Sequence, residues 1–348
     1  MARVAGLAAP PTATMTPSAA RDLAGPAATE PAESPVGLLL LLSCVAIWGM
    51  NAVAAKIGTA PPYGFDPVML TGLRFMLVAP CIVLVVAWRQ PEALKVQDRR
   101  DLLRYAAYGL ISIVMGETLL TVAVRYTSVA NTTLLGPGTI SLFTALWAVI
   151  LGEQRLSRTG WIGAVVALIG VGLVAGFGNA GFRLDPASFR GDAVALFRSV
   201  VHSAYMLYLA RTLRERPVAT VTVYNILFGA LWFSPYVIWR APQVAWSHIP
   251  WEVWAALAFC VLPTTVYGFL AWNWGMRGVG AVAATNLYYL MPVFAAVAAW
   301  AALGEPIHIG QLLGGLVIVA GVITLRWDTM ISGGFLPRLR ALPLPWRR

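Results

Sequence analysis

The dipeptide Gly152-Glu153 recurs as Gly304-Glu305, and each copy separates one long apolar run from the next. The first context reads LFTALWAVILGEQRLSRTGWIGAVVALIGVGLV and the second VFAAVAAWAALGEPIHIGQLLGGLVIVAGVITL. With one residue dropped after the second Gly-Glu, Gly163 falls on Gly314 and Gly170 on Gly321. Apolar runs of about 20 residues match the hydrocarbon thickness of a bilayer. A chain that duplicates such runs is constrained to a membrane protein of two related halves. Transport by alternating access is the usual purpose of that plan.

Composition agrees. Hydrophobic residues make up 59% of the chain and charged residues 11%, where a soluble domain carries about 25% charge. Mean hydropathy is +0.72. The apolar runs divide the chain into about ten spans, at 36–58, 66–88, 101–124, 129–151, 158–177, 190–211, 219–240, 251–274, 279–303 and 307–326. Cys44, Cys81 and Cys260 lie inside apolar runs without ligand spacing, so they read as small buried hydrophobes.

Charge sets the expected orientation. With a cytoplasmic N-terminus, the outer ends hold only Lys56, Arg125, Arg183, Arg190 and Arg240, while Arg74 and Arg198 fall within spans. The other 18 lysines and arginines fall on inner segments, as the positive-inside rule requires. Both termini are then cytoplasmic, in a cell (plasma or inner) membrane. The net charge of +10 is accounted for without a nucleic-acid partner. With five spans per half, the second half enters from the opposite side, which makes the repeat inverted. The expected fold is an all-α membrane protein. Its expected parts are a disordered tail (1–35), a first five-helix repeat (36–178), an outer linker (179–189), a second repeat (190–327) and a basic tail (328–348) able to lie on anionic membrane lipid. The sequence admits either Met1 or Met15 as the start.

Several short pieces resemble the drug/metabolite transporter superfamily and, within it, the EamA family of ten-helix carriers. They are Trp48-Gly49-Met50-Asn51, Leu73-Arg74-Phe75, Tyr126-Thr127-Ser128-Val129-Ala130-Asn131, Leu151-Gly152-Glu153, Gly191-Asp192, Met291-Pro292-Val293-Phe294 and Leu303-Gly304-Glu305. Their order, spacing and duplication carry the resemblance, which spans about residues 36–326. It implies two inverted five-helix repeats around a central cavity, and secondary transport, often export, of small organic solutes. The chain departs from the family pattern at His202, where Trp is usual, and at Arg198. Pro137 has no counterpart at the same depth as Pro292, which predicts that the fourth and ninth spans break at different depths.

Ionisable groups inside spans cost about 2.5–3.5 kcal/mol each to insert. Arg74, Glu117, Arg198 and His202 are the candidates for substrate binding or coupling. Arg198 and His202 share a helical face, as do Glu117 and Thr121. The expectation is one polar cavity reached from the outside, with Glu117 paired to Arg74 or Arg198 and His202 titrating near neutral pH to couple protons. The competing reading is a fixed ion pair that holds helices together. Trp48, Asn51, Tyr205, Asn225, Tyr267, Asn286 and Tyr289 supply the aromatic walls and polar points of a site for amphipathic solutes. Trp246, Trp251, Trp254, Trp272 and Trp274 read as interfacial anchors. Glycines of the fifth and tenth spans read as packing or dimer contacts, leaving monomer or homodimer open. Pro137 and Pro292 are candidate bends used in gating. Gly152, Glu153, Gly304 and Glu305 read as structural helix turns, each carboxylate capping the helix that follows.

No Gly-x-Ser-x-Gly, His-Glu-x-x-His or Walker motif is present, so neither an enzyme, a metal site nor a cofactor is expected. The expected activity is secondary active export of metabolites, amino acids or amphipathic drugs. The alternatives are an exchanger of organic anions using Arg74 and Arg198, or a non-transporting scaffold or lipid-handling protein.

Overall fold

The computed structural model describes residues 35–325 except 97, 154, 179–180, 183–185 and 280–286. The expected tails, apart from Pro35, and candidate Asn286 lie outside the described residues. Ten helical segments follow in order: α1 (Pro35–Gly58), α2 (Pro67–Arg89), α3 (Arg99–Tyr126), α4 (Val129–Ile150), α5 (Arg158–Gly176), α6 (Pro186–Glu215), α7 (Val218–Arg240), α8 (residues 251–279), α9 (Met291–Leu303) and α10 (Ile309–Leu325). Among the described residues, eight helices are long and apolar enough to cross a membrane, and α9 and α10 are shorter apolar helices. The strand pairing among the described residues is one short antiparallel ladder where the expected first repeat meets the linker, β1 (Phe177–Gly178) with β2 (Gly181–Phe182).

Local signals explain the helix ends. Asp66 caps α2 by accepting from the Val68 and Met69 amides, and Ser128 caps α4 by accepting from the Asn131 amide. Such caps satisfy amides that have no partner within the helix. The turns after α4 and α9 place Gly152 and Gly304 at φ 72° and 66°, where a side chain would be strained. Large apolar residues such as Leu84, Trp88, Ile162, Ile169, Leu312 and Leu316 point outward. In water such a surface would drive aggregation, whereas lipid solvates it.

The α5–α10 seam defines the symmetry. A Cβ on Gly163 would lie 2.2 Å from Leu325 N, on Gly170 2.6 Å from Ile318 N, on Gly314 2.9 Å from Val174 N and on Gly321 2.3 Å from Ala167 N. The repeat register carries Gly163 onto Gly314, Ala167 onto Ile318, Gly170 onto Gly321 and Val174 onto Leu325. Each contact therefore has its image: Gly163–Leu325 with Val174–Gly314, and Ala167–Gly321 with Gly170–Ile318. Reciprocity of this kind is the signature of a two-fold axis. The two helices run antiparallel, so the halves are inverted.

The same register duplicates two departures from α-helix. A π-helical segment occupies Gly109–Glu117 in α3 and another occupies Cys260–Tyr267 in α8. A 3₁₀ turn occupies Pro137–Thr139 in α4 and another occupies Tyr288–Leu290 ahead of α9. The expectation of breaks at different depths is thus corrected. Pro292 lies in the first turn of α9, where its missing amide removes no helical bond. It does not bend the helix.

Candidate functional site

The two π segments meet across a cavity of about 400 Å³, within the range that holds small organic ligands. Its walls come from α1 (Trp48, Asn51), α2 (Arg74, Phe75), α3, α6, α7, α8 and Met291 of α9. A π turn shifts the backbone register and leaves carbonyls loosely held within their own helix. The cavity groups use them. Arg198 Nε donates to Gly116 O at 3.0 Å. Trp48 Nε1 donates to Thr264 O at 2.9 Å. The Thr265 hydroxyl donates to Cys260 O, five residues back, at 2.8 Å.

Glu117 lies between the two guanidinium groups. Arg74 Nη1 donates to Glu117 Oε2 at 2.9 Å, and Arg198 Nη2 stands 3.8 Å from Glu117 Oε1. Arg74 is held further by Thr265 Oγ1, which accepts from Nε at 3.0 Å and Nη2 at 2.9 Å. Arg198 is only 4% exposed, and its Nη1 has no hydrogen-bond partner. His202 is buried one turn later on the same face, also with an unpartnered Nδ1. Gly116 makes room for it, since a Cβ there would lie 3.0 Å from that nitrogen. Tyr205 accepts from Asn225 Nδ2 at 3.0 Å, and Asn225 Oδ1 accepts from Ser112 at 3.1 Å.

Trp48, Asn51, Arg74, Glu117, Arg198, His202, Tyr205 and Asn225 all line the cavity. Three other candidates do not. Thr121 bonds Thr71 and the Glu117 carbonyl, Tyr267 bonds Ser43, and Tyr289 bonds Ser141. Trp272 was expected as an interfacial anchor. It instead lines the cavity and packs on Trp48 with ring centroids 4.9 Å apart. Ser112, Thr264 and Thr265 were missed; Pro263 within an apolar run is a sequence signal beside Thr264 and Thr265.

The lining runs along α6 to Leu213 and resumes at Val218 of α7, so the cavity extends to the α6–α7 turn, the end of these helices that carries Arg211 and Arg216. At the far end the lining stops near Asn51 and Leu120, and the helices are tied together. Lys56 Nζ donates to Glu305 Oε1 at 2.5 Å and to Thr127 O at 2.8 Å. Glu305 Oε2 accepts from the Val129 amide at 2.9 Å. Asp192 accepts from Thr127 Oγ1 at 2.7 Å and from Asn131 Nδ2 at 3.1 Å. Gln311 Nε2 donates to Asn131 Oδ1 at 2.9 Å. Glu305 therefore caps α4 in the other half, not the helix that follows it. Its counterpart Glu153 pairs with Arg211 at the α6–α7 end.

Comparison with known proteins accords with this architecture. The profile of the EamA-like transporter family matches residues 35–176 and again 189–327. An uncharacterized transporter of Bacillus subtilis, YyaM, is 28% identical over 75% of this chain and 84% of its own length. A probable amino-acid metabolite efflux pump of Salmonella typhimurium is 26% identical over 82% of this chain and 93% of its own length. A crystal structure covering 84% of this chain and 96% of its own matches with a TM-score of 0.56 at 21% identity, a likeness of fold. Two family matches on two inverted sets of membrane helices leave one conclusion: this chain belongs to the EamA-like transporter family and is a multi-pass membrane transporter, not an enzyme.

Proposed function

We propose that the protein is a secondary active exporter that moves small amphipathic organic solutes by alternating access, using residues 36–178 and 190–327 as its two moving halves. The observation that carries the reading is a polar, aromatic-walled cavity at mid-helix, open at the arginine-rich end and latched at the other. The charge bias makes the open end cytoplasmic, so this is the state in which an exporter takes up its load. Amphipathic solutes suit walls such as Trp48, Phe75, Phe269 and Trp272 with a few fixed polar groups. The similarity to an amino-acid metabolite efflux pump supports export of metabolites of that size.

Proton coupling is part of the proposal. Glu117 and His202 are the proton-bearing candidates, faced by Arg74, Arg198 and Tyr205. Proteoliposomes containing the full chain, loaded with a mixed metabolite pool and placed under a pH gradient, test both parts. Selective loss of some solutes supports transport, and retention of every solute under any gradient favours the scaffold reading. Unchanged pH dependence in normally inserted Glu117→Gln and His202→Ala variants removes proton coupling at these residues.

A further inference from the structure

The charges that line the cavity do not balance. Among the described residues they are Arg74, Arg198 and Glu117, two guanidinium groups to one carboxylate. A protonated His202 would only add to the excess. The carboxylate is not shared evenly. Arg74 makes the short bond to it and is held twice more by Thr265. Arg198 keeps one sound hydrogen bond, from Nε to Gly116 O, with Nη2 3.8 Å from Glu117 and Nη1 unpartnered. A buried guanidinium with unmade bonds is destabilising, and a second carboxylate relieves it by charge-assisted bonding.

We infer that the cargo supplies this carboxylate, and that the cavity selects amphipathic organic monocarboxylates over zwitterions, cations and neutral analogues, with Arg198 as the anion-binding residue. The inference rests on the transport reading above and narrows it. A cation or the ammonium of a zwitterion would have to compete for Glu117, which two guanidinium groups already hold. The anion needs no such exchange. Its apolar body faces Phe75, Phe269, Met206, Met291 and the Trp48–Trp272 pair.

Four probes with the same aromatic body separate the classes: phenylacetate, phenylacetamide, phenylalanine and phenethylamine. Exchange into proteoliposomes is measured above protein-free vesicles, and thermal stabilisation of the detergent-solubilised full chain is measured alongside. Phenylacetate is expected to exceed the other three by about tenfold or more, the scale of one hydrogen bond to a charged group. Arg198→Gln is expected to bring phenylacetate down to the level of phenylacetamide, so that the ratio between the two falls from about tenfold to about one. A purely structural role for Arg198 would lower both together. Arg198→Lys keeps the charge and is expected to keep the preference, and loss of preference there overturns the inference. Preferred movement of phenylalanine or phenethylamine also overturns it while leaving transport intact. If phenylacetate alone stabilises the protein but nothing moves, the anion site stands and the transport reading falls. If no probe moves or stabilises, both fall.

Discussion

Replacing Gly163 by Ala adds one carbon where the structure has no room. The new Cβ would lie 2.2 Å from Leu325 N and 2.7 Å from both Gly321 O and Leu325 Cα, against an ordinary contact of 3.4–4 Å. All three neighbours are backbone, so no side chain can swing away. The helices must part by roughly an ångström, and a gap of about 0.5–1 Å forfeits a quarter to a half of each dispersion contact along the seam. Overpacking of this kind costs about 1–3 kcal/mol or more. Gly172, nine residues on, is the control on the same helix, because a Cβ there meets nothing within 4 Å. Gly172→Ala gains about 0.5–1 kcal/mol of helix propensity. The two variants should therefore differ by about 2–4 kcal/mol, on the order of 3–5 °C in melting temperature for a chain of 348 residues. Thermal unfolding in detergent, followed by loss of the monodisperse chromatographic peak, reads the difference. Equal melting temperatures for Gly163→Ala and Gly172→Ala would refute the reciprocal seam, and with it the symmetry inferred from that seam.

Other perturbations probe the far end and the cavity. Glu305→Ala releases Lys56 and the Val129 amide. At about 1.5–3 kcal/mol per charge-assisted bond, it should raise maleimide labelling of a cysteine placed at buried Thr127 by about tenfold or more. Glu153→Ala, at the opposite end, should not raise that labelling, and equal effects of the two variants would sink the latch. Thr265→Val removes the acceptor of two Arg74 bonds. It should weaken solute binding by about tenfold in titrations, whereas Thr265→Ser should restore it. Trp48→Phe keeps the ring packing on Trp272 but loses the bond to Thr264 O, so a loss of about 1 kcal/mol in stability is expected, measured by the same unfolding assay.

The spans, their duplication and the inversion were legible because they rest on composition, charge and short-range spacing. Arg74, Glu117 and Arg198 were legible because an ionised group in an apolar run is conspicuous. The rest depends on contacts that sequence spacing does not encode. Glu305 looked like a local cap, but its partners Lys56 and Val129 lie in the other half. Trp272 sits near a span end and reads as an anchor until the Trp48 contact turns it inward. The π segments have no shared residue pattern. Pro263 lies in one, and the matching position in the other is Ser112, whose hydroxyl bonds the Tyr108 carbonyl.

The matched breaks in α3 and α8, and in α4 and ahead of α9, have a consequence for the state not described. Because these breaks, among the described residues, have images under the two-fold operation, each half contains backbone devices like those of the other. Under the alternating access proposed above, a molecule open at the far end would require no new hinge: its first half would take on the curvature now held by the second, and the second that of the first. Distances across one end of the cavity would then forecast those across the other.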